Sequence, residues 1–155
     1  MGEVASDLLL AGLAVLLAVA IVGDLRARII SNRLNAAIAL AAPLYWLAAG
    51  LGWSDIAWQV GTAAAMFALF ALAFRLGAMG GGDVKLITAI ALWLPSGATL
   101  KLIVIMSLAG GVLTLAMLIR HRLAQRETAL EVPYGVAIAG AGFWLIGERF
   151  LYQFG

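Results

Sequence analysis

Two aspartates stand out among the residues that could do chemistry. Asp24 and Asp83 each lie at the end of a long apolar stretch, and Asp83 is embedded in the run MGGGDVKL, residues 79–86. A carboxylic acid at a membrane boundary is energetically unfavourable and therefore usually functional. Two such acids can share peptide hydrolysis: one takes a proton from water, and the other, kept protonated by like-charge repulsion, polarises the scissile carbonyl. The pair titrates as a unit, so acid and base are not assigned individually.

The composition predicts an integral membrane protein. Of the 155 residues 65% are hydrophobic and only 12% are charged, with a mean hydropathy of +1.06. The net charge is only +2, and most cations fall in short loops between apolar runs, so the basic pI indicates membrane topology and no nucleic-acid binding. No cysteine is present, which excludes disulfides, thiolate nucleophiles and cysteine-ligated zinc.

Six apolar runs predict six transmembrane helices in one all-α membrane domain that fills residues 1–155. The runs lie between residues 7 and 24, 33 and 55, 55 and 75, 85 and 101, 101 and 120, and 131 and 148. Only helices satisfy their own backbone hydrogen bonds in lipid at this hydrophobicity. The N-terminus carries Glu3 and Asp7 without an early cation, so the first run is expected to be a retained helix. Within the fourth run a Pro-Ser-Gly turn signal at residues 95–97 follows Leu94 directly, so this helix could be short or partly re-entrant.

The distribution of basic residues predicts the orientation of these helices. Short cytoplasmic loops are rich in Lys and Arg. With the N-terminus outside, eight cations lie on the inner side and only Lys101 and Arg149 on the outer side. The inner eight are Arg26, Arg28, Arg33, Arg75, Lys85, Arg120, Arg122 and Arg126. This topology places the end of the first helix and the start of the fourth, and hence both aspartates, at the cytoplasmic face.

Each aspartate also has a simpler structural interpretation. Asp24 could be an ordinary boundary residue beside Arg26 and Arg28, and Asp83 could be the N-cap of the fourth helix. Gly80, Gly81 and Gly82 remove side-chain bulk and allow positive φ, so a peptide could lie against this backbone; alternatively they form a flexible turn. The residues taken alone favour the functional and the structural interpretation about equally.

Three stretches resemble one protein family. The segment AMGGGDVKL (78–86) looks like the signature of type IV prepilin peptidases, the GxGD class of membrane aspartic proteases. The segment DLRARIISN (24–32) resembles their first aspartate motif, and VPYGVA (132–137) is similar to their third motif. Ser31 stands where the family usually carries Pro, but Ser31 and Asn32 can cap the second helix. The three segments occur in the family's order and extend over nearly the whole chain.

The resemblance implies a function and a set of site residues. Asp24 and Asp83 would be the catalytic pair, without a metal or cofactor, and would remove the basic leader of prepilins at the cytoplasmic face of the bacterial inner membrane. Residues that could bind substrate or shape the site are Gly80, Gly81, Gly82, Lys85, Asn32, Pro133, Tyr134 and Gly135. The paired-cysteine domain of relatives that also N-methylate is missing, so methyltransferase activity is not expected. The short form most resembles peptidases of tight-adherence (Flp) pilus systems.

Several of these residues have simpler explanations, and two other functions compete. Lys85 is one turn into a cytoplasmic boundary, where snorkelling is ordinary, and Pro133 and Tyr134 suit the first turn of a helix and an interfacial position. The tryptophans, Trp46, Trp53, Trp58, Trp93 and Trp144, are expected to form an outer aromatic belt. A small proton- or cation-coupled transporter could use both acids, but its polar groups should lie near mid-bilayer. A non-catalytic pilus assembly scaffold has no need for both acids.

Overall fold

Six helices form the chain in the computed structural model, which describes residues 2–123 and 132–153. They are α1 Gly2–Ala27, α2 Asn32–Ala48, α3 Trp53–Arg75, α4 Gly81–Ala91, α5 Ser96–Leu123 and α6 Tyr134–Gln153. No strand occurs in the described residues, as the all-α prediction requires. Arg126, which contributes to the predicted inner positive charge, lies outside the described residues.

Within residues 2–123 and 132–153, three helices are long and apolar enough to cross a membrane. These are α1, α3 and α5, and large apolar side chains such as Leu40, Leu47 and Val112 are exposed on the outside of the bundle. The helix α4 has 11 residues, which at about 1.5 Å per residue makes it roughly 16 Å long, about half of a hydrocarbon core. Six complete crossings with the N-terminus outside therefore stay a prediction.

The short helix α4 lies at the centre of the bundle. It packs against α2, α3 and α6, and further contacts join α1 to α2 and α6, and α5 to α6 and α3. Leu86, Ile87, Ile90 and Ala91 of α4 are buried on several sides, so this helix is apolar almost all round. Both ends of α4 are therefore held by the surrounding helices.

Local sequence signals explain where α2 begins. Ser31 is the N-cap, and its Oγ accepts a hydrogen bond from the Leu34 N–H at 3.2 Å. Ser31 thus starts the helix at the position where the family usually has Pro. Asn32 is the first residue of α2 and makes no N-cap hydrogen bond of its own; its side chain contacts Lys85 instead.

The prediction that the tryptophans form a surface belt is wrong for Trp93. Its side chain is only 2% exposed, stacks on Tyr45 with ring centroids 5.2 Å apart, and donates from Nε1 to the Ile38 carbonyl at 3.0 Å. Trp46 of α2 donates in the opposite direction, to the Leu92 carbonyl at 2.8 Å. The two indoles therefore join α2 to the end of α4, whereas Trp53 is 88% exposed.

We expect Trp93→Phe to lower the free energy of unfolding by about 1–3 kcal/mol, because it removes the bond to Ile38 and leaves a cavity. Trp53→Phe is the matched control and should change stability by less than about 0.5 kcal/mol. Unfolding in mixed micelles, followed by circular dichroism, measures both. Equal effects of the two substitutions would contradict the assignment of Trp93 to the core.

Candidate active site

Asp24 and Asp83 line the same cavity. This cavity has a volume of about 640 Å³ and lies where α1 ends and α4 and α6 begin. Its wall comes from Asp24, Arg28, Ile29 and Ile30, from residues 77–83, and from Val132 and Tyr134. The structure thus brings together two carboxyls that are 59 positions apart in the sequence.

The carboxylate of Asp24 binds the N-terminus of α6. Asp24 lies in the last turn of α1 and is 5% exposed, and its Oδ2 accepts a hydrogen bond from the Val136 N–H at 3.0 Å. The Gly135 N–H also donates to this carboxylate. The first N–H groups of a helix have no partner within the helix, and the helix dipole favours a negative charge there. Asp24 therefore caps α6 from a neighbouring helix and is more than a boundary residue of α1.

Gly135 is required by this close approach. A Cβ atom on Gly135 would lie 2.5 Å from Ile30 Cδ1 and 2.8 Å from Asp24 Oδ2. Pro133 is buried just before α6, and Tyr134 lies in its first turn, where its ring faces Gly110 of α5. Tyr134 lines the cavity, so the third sequence segment does contribute to its wall.

The connection from α1 to α2 is held between α4 and α6. Arg28 ends α1 in a left-handed conformation with φ of +55°, and its N–H donates to the Asp24 carbonyl at 3.0 Å. Glycine is the usual residue at such a position, because a side chain there is strained. The positive charge of Arg28 acts on the Asp24 carboxylate from the wall of the cavity. This turn directs Ile30 towards Gly82 and Gly135.

Asp83 lies in the first turn of α4, which is not among the helices long enough to span. The N-cap is Gly80, so the interpretation of Asp83 as the N-cap is wrong; it is the third residue of the helix. From there its carboxylate accepts a hydrogen bond from the Gly80 N–H, as the third residue of a capping box does. Burial raises the pKa of Asp83 to about 6, and the negative charge of Asp24 adds to the shift, which the Gly80 N–H opposes.

Positive φ does not explain the three glycines before Asp83. Gly80 has φ of −75°, Gly81 and Gly82 belong to α4, and the described glycines with positive φ are Gly50 and Gly77. A Cβ on Gly82 would lie 3.2 Å from the Ile30 carbonyl oxygen. The positive φ that glycine allows is therefore not used at residues 80–82, and close packing against Ile30 explains Gly82.

Comparison with known proteins gives a family. A model of the type IV leader peptidase family matches residues 11–115, which is 105 of the 155 residues and includes both aspartates. The chain belongs to this family. The resemblance to type IV prepilin peptidases is thereby confirmed, while the third segment at residues 132–137 lies beyond the matched range. Neither the curated proteins nor the solved structures contain a match.

Four of the predicted site residues do not line the cavity of this leader peptidase: Pro133 and Gly135, which lie beside the lining residue Tyr134, and Lys85 and Asn32, which lie elsewhere. Lys85 Nζ donates to Asn32 Oδ1 at 2.7 Å, and both residues line a separate groove of about 350 Å³ between α2, α3 and α4. Lys85 follows Asp83 by two residues, which on a helix turns its side chain to a different face. The idea that Lys85 is simply a boundary cation agrees better with this placement than a contact with Asp83.

Several residues at or near the cavity were not predicted as site residues, among them Arg28, Ile30 and Asn35. Arg28 and Ile30 line the cavity, and Asn35 of α2 donates from Nδ2 to the Gly82 carbonyl at 3.1 Å. A polar side chain at position 35 in an otherwise apolar stretch was the available signal for Asn35. No group of three or more His, Cys, Asp or Glu residues that could hold a metal ion occurs within residues 2–123 and 132–153.

We expect Gly135→Ala to lower the free energy of unfolding by about 1–3 kcal/mol, because its Cβ would displace Ile30 and the Asp24 carboxylate. Gly140→Ala, in the same helix, is the control, since nothing lies within 4 Å of a Cβ there. Unfolding in mixed micelles compares the two variants. A Gly135→Ala protein as stable as Gly140→Ala would show that α6 is not held tightly against Asp24.

The raised pKa of Asp83 predicts how stability changes with pH. Between about pH 4 and pH 6 the folded state keeps a proton that the unfolded state has lost, so the free energy of unfolding falls as pH rises. Asp83→Asn cannot titrate, and we expect its stability relative to the parent to increase over this interval. Unfolding measured at several pH values tests this. Parallel stability profiles for the two proteins would contradict the shift.

Proposed function

We propose that this leader peptidase is a membrane aspartic endopeptidase that removes the leader of type IV or Flp-type prepilins and pilin-like proteins. The observation that carries the proposal is the shared cavity, which two carboxyls from different helices line. Hydrolysis by an acid pair needs these groups on one side of a space that admits a peptide and water. The family to which the chain belongs supports the substrate class.

The surroundings of the two carboxyls suggest how they divide the roles. Burial of Asp24 disfavours its charged form, but the N–H groups of Val136 and Gly135 and the positive charge of Arg28 act against this effect. Asp83 accepts one backbone N–H bond and faces the charge of Asp24. We assign the shared proton to Asp83, which makes Asp83 the acid and Asp24 the base in the resting pair.

The reaction then runs in two steps. Asp24 takes a proton from water as the water oxygen forms a bond to the scissile carbonyl carbon, while Asp83 donates its proton to the carbonyl oxygen. In the tetrahedral intermediate the C–N bond breaks, the amine leaves with the proton held by Asp24, and the carbonyl re-forms as its hydroxyl returns a proton to Asp83. No net proton is gained or lost by the pair.

The position of the cavity suits a substrate that is half in water and half in lipid. It lies at the ends of α1 and α4, so a cationic leader can remain in water and be attracted by the acidic pair, while the apolar segment that follows stays in the bilayer. We place this end at the cytoplasmic face of the bacterial inner membrane, with six crossings and the N-terminus outside, because the basic residues cluster there.

The reaction assigned to the cavity is proteolysis, without methyl transfer. The cavity offers two carboxyls and backbone donors, which supply acid–base chemistry, and we assign no N-methylation to it. A proton- or cation-coupled transporter is the competing function. Both carboxyls lie at one end of their helices, whereas a translocation path needs polar groups along its length.

The decisive experiment is cleavage of a co-expressed Flp-type prepilin, followed by the gel shift that leader removal causes. We expect Asp24→Asn and Asp83→Asn each to lower cleavage at least about a thousandfold, since each removes one half of the proton transfer. The control is Asp55→Asn, which alters an exposed acid in the first turn of α3 and should cleave normally.

Cleavage near the parent rate by either aspartate variant would remove that residue from the catalytic pair. Loss of cleavage with EDTA that zinc restores would indicate a metalloprotease. If the folded parent cleaves none of several prepilins, the transporter or scaffold function is favoured instead.

The pH dependence of cleavage follows from the proton on Asp83. The active pair carries one proton, so kcat/KM should fall as pH rises through about 6, where free Asp83 ionises. Initial rates at low substrate concentration between about pH 5 and pH 8 measure this decrease in kcat/KM. A kcat/KM that rises with pH over the same interval would mean that Asp83 acts only after it has lost its proton.

A further inference from the structure

We propose that Asn35 is a positioning residue: its buried amide holds the Gly82–Asp83 peptide and thereby orients the Asp83 carboxyl in the cavity. This inference rests on the proposed function of the cavity but concerns a residue outside the catalytic pair. Asn35 lies in α2 and is not among the residues that line the cavity. It therefore acts through Asp83 and does not contact the reacting atoms.

The contact is made to the peptide unit that carries Asp83. Asn35 is 4% exposed, and its Nδ2 donates to the Gly82 carbonyl oxygen at 3.1 Å. That carbonyl and the Asp83 N–H belong to one planar peptide unit, so holding the oxygen also fixes the direction of the N–H. The Asp83 N–H in turn donates to the Gly80 carbonyl at 3.1 Å. The peptide is thus held from both of its sides.

The glycine-rich start of α4 makes such an anchor necessary. Gly80, Gly81 and Gly82 have no side chains that could lock this turn by packing, and a glycine backbone has more freedom than any other. The Ile30 carbonyl lies close to Gly82 and limits its position from one side. The Asn35 amide adds a hydrogen bond to the Gly82 carbonyl. A hydrogen bond fixes direction as well as distance, whereas packing fixes mainly distance.

The other half of the Asn35 amide argues against a role in stability alone. Its Oδ1 is buried and accepts no hydrogen bond from the described residues. A buried acceptor without a partner is unfavourable, and a leucine of similar size would avoid that loss. The Asn35 side chain thus buries an oxygen that is unpaired within the described part of the chain, which lowers stability, while its Nδ2 makes the hydrogen bond to Gly82. This combination points to a role in positioning Gly82.

The test compares Asn35→Leu with Gln59→Leu in detergent-solubilised full-length enzyme acting on a prepilin. Gln59 of α3 is the matched control, because it is also a buried amide, 5% exposed, whose oxygen has no partner in the described residues. For Asn35→Leu we expect kcat to fall about tenfold, as for the loss of one oriented hydrogen bond, with KM within about twofold. Its melting temperature should be unchanged or higher. Gln59→Leu should keep both kcat and KM.

A second measurement does not depend on cleavage. The infrared band of protonated Asp83, assigned by its loss in Asp83→Asn, gives the pH at which this carboxyl titrates. In Asn35→Leu the turn can relax towards solvent, so we expect the midpoint to move below the parent's, which lies at about 6. An unchanged midpoint would overturn the positioning role even if no prepilin were cleaved by the parent protein.

The kinetic outcomes also separate the explanations. Unchanged kcat in Asn35→Leu would overturn the proposal, and so would parallel losses of kcat and melting temperature, which indicate a structural role only. Absence of cleavage by the parent enzyme counts against the proposed function and leaves the titration of Asp83 to decide about Asn35.

Discussion

The bond between the Asp24 carboxylate and the first turn of α6 is the interaction on which the site depends. It joins the end of α1 to a helix that begins 110 residues later in the sequence. The bond requires Gly135 to have no side chain, and it brings Ile30 against both Gly135 and Gly82. Because Ile30 contacts the starts of α4 and α6, the geometry of both depends on how α1 ends. The carboxyl proposed as the base is thus also a structural cap.

This double use has a physical consequence for Asp24. The N–H groups of Gly135 and Val136 stabilise the negative charge that a base needs, and they also orient the carboxylate. These contacts act against the burial of Asp24, which disfavours a charged carboxylate. Asp83 has fewer stabilising partners: it accepts one N–H bond and has the negative charge of Asp24 nearby. Two acids of the same type can therefore differ in protonation because their neighbours differ.

The glycine-rich turn before Asp83 shows how the fold supports a site with little side-chain packing. Gly82 lets the Ile30 carbonyl approach closely, which leaves the turn with few apolar contacts of its own. The surrounding helices compensate, since α4 is central and its buried residues contact three of them. The hydrogen bonds of Trp46 and Trp93 hold the far end of α4 against α2. A helix of 11 residues can stay in place because both of its ends are anchored.

Much of this architecture follows from the sequence because it depends on local composition. Apolar runs between charges predict six helices, Ser31 supplies a cap for α2, and the run around Asp83 identifies the family. The same local signals do not say what a side chain meets across the bundle. A surface position for Trp93 was expected from local pattern, and it is wrong because packing with other helices decides the position of this side chain.

What the sequence determined by itself is the membrane class, the helices and the two acids, since hydropathy, capping and residue type act over a few neighbouring positions. Only the tertiary structure decided that Asp24 caps α6, that Lys85 pairs with Asn32 away from the cavity, and that Asn35 reaches Gly82. Each of these contacts joins residues at least 47 positions apart. Their geometry is set by how the helices pack, which no short segment of the chain encodes.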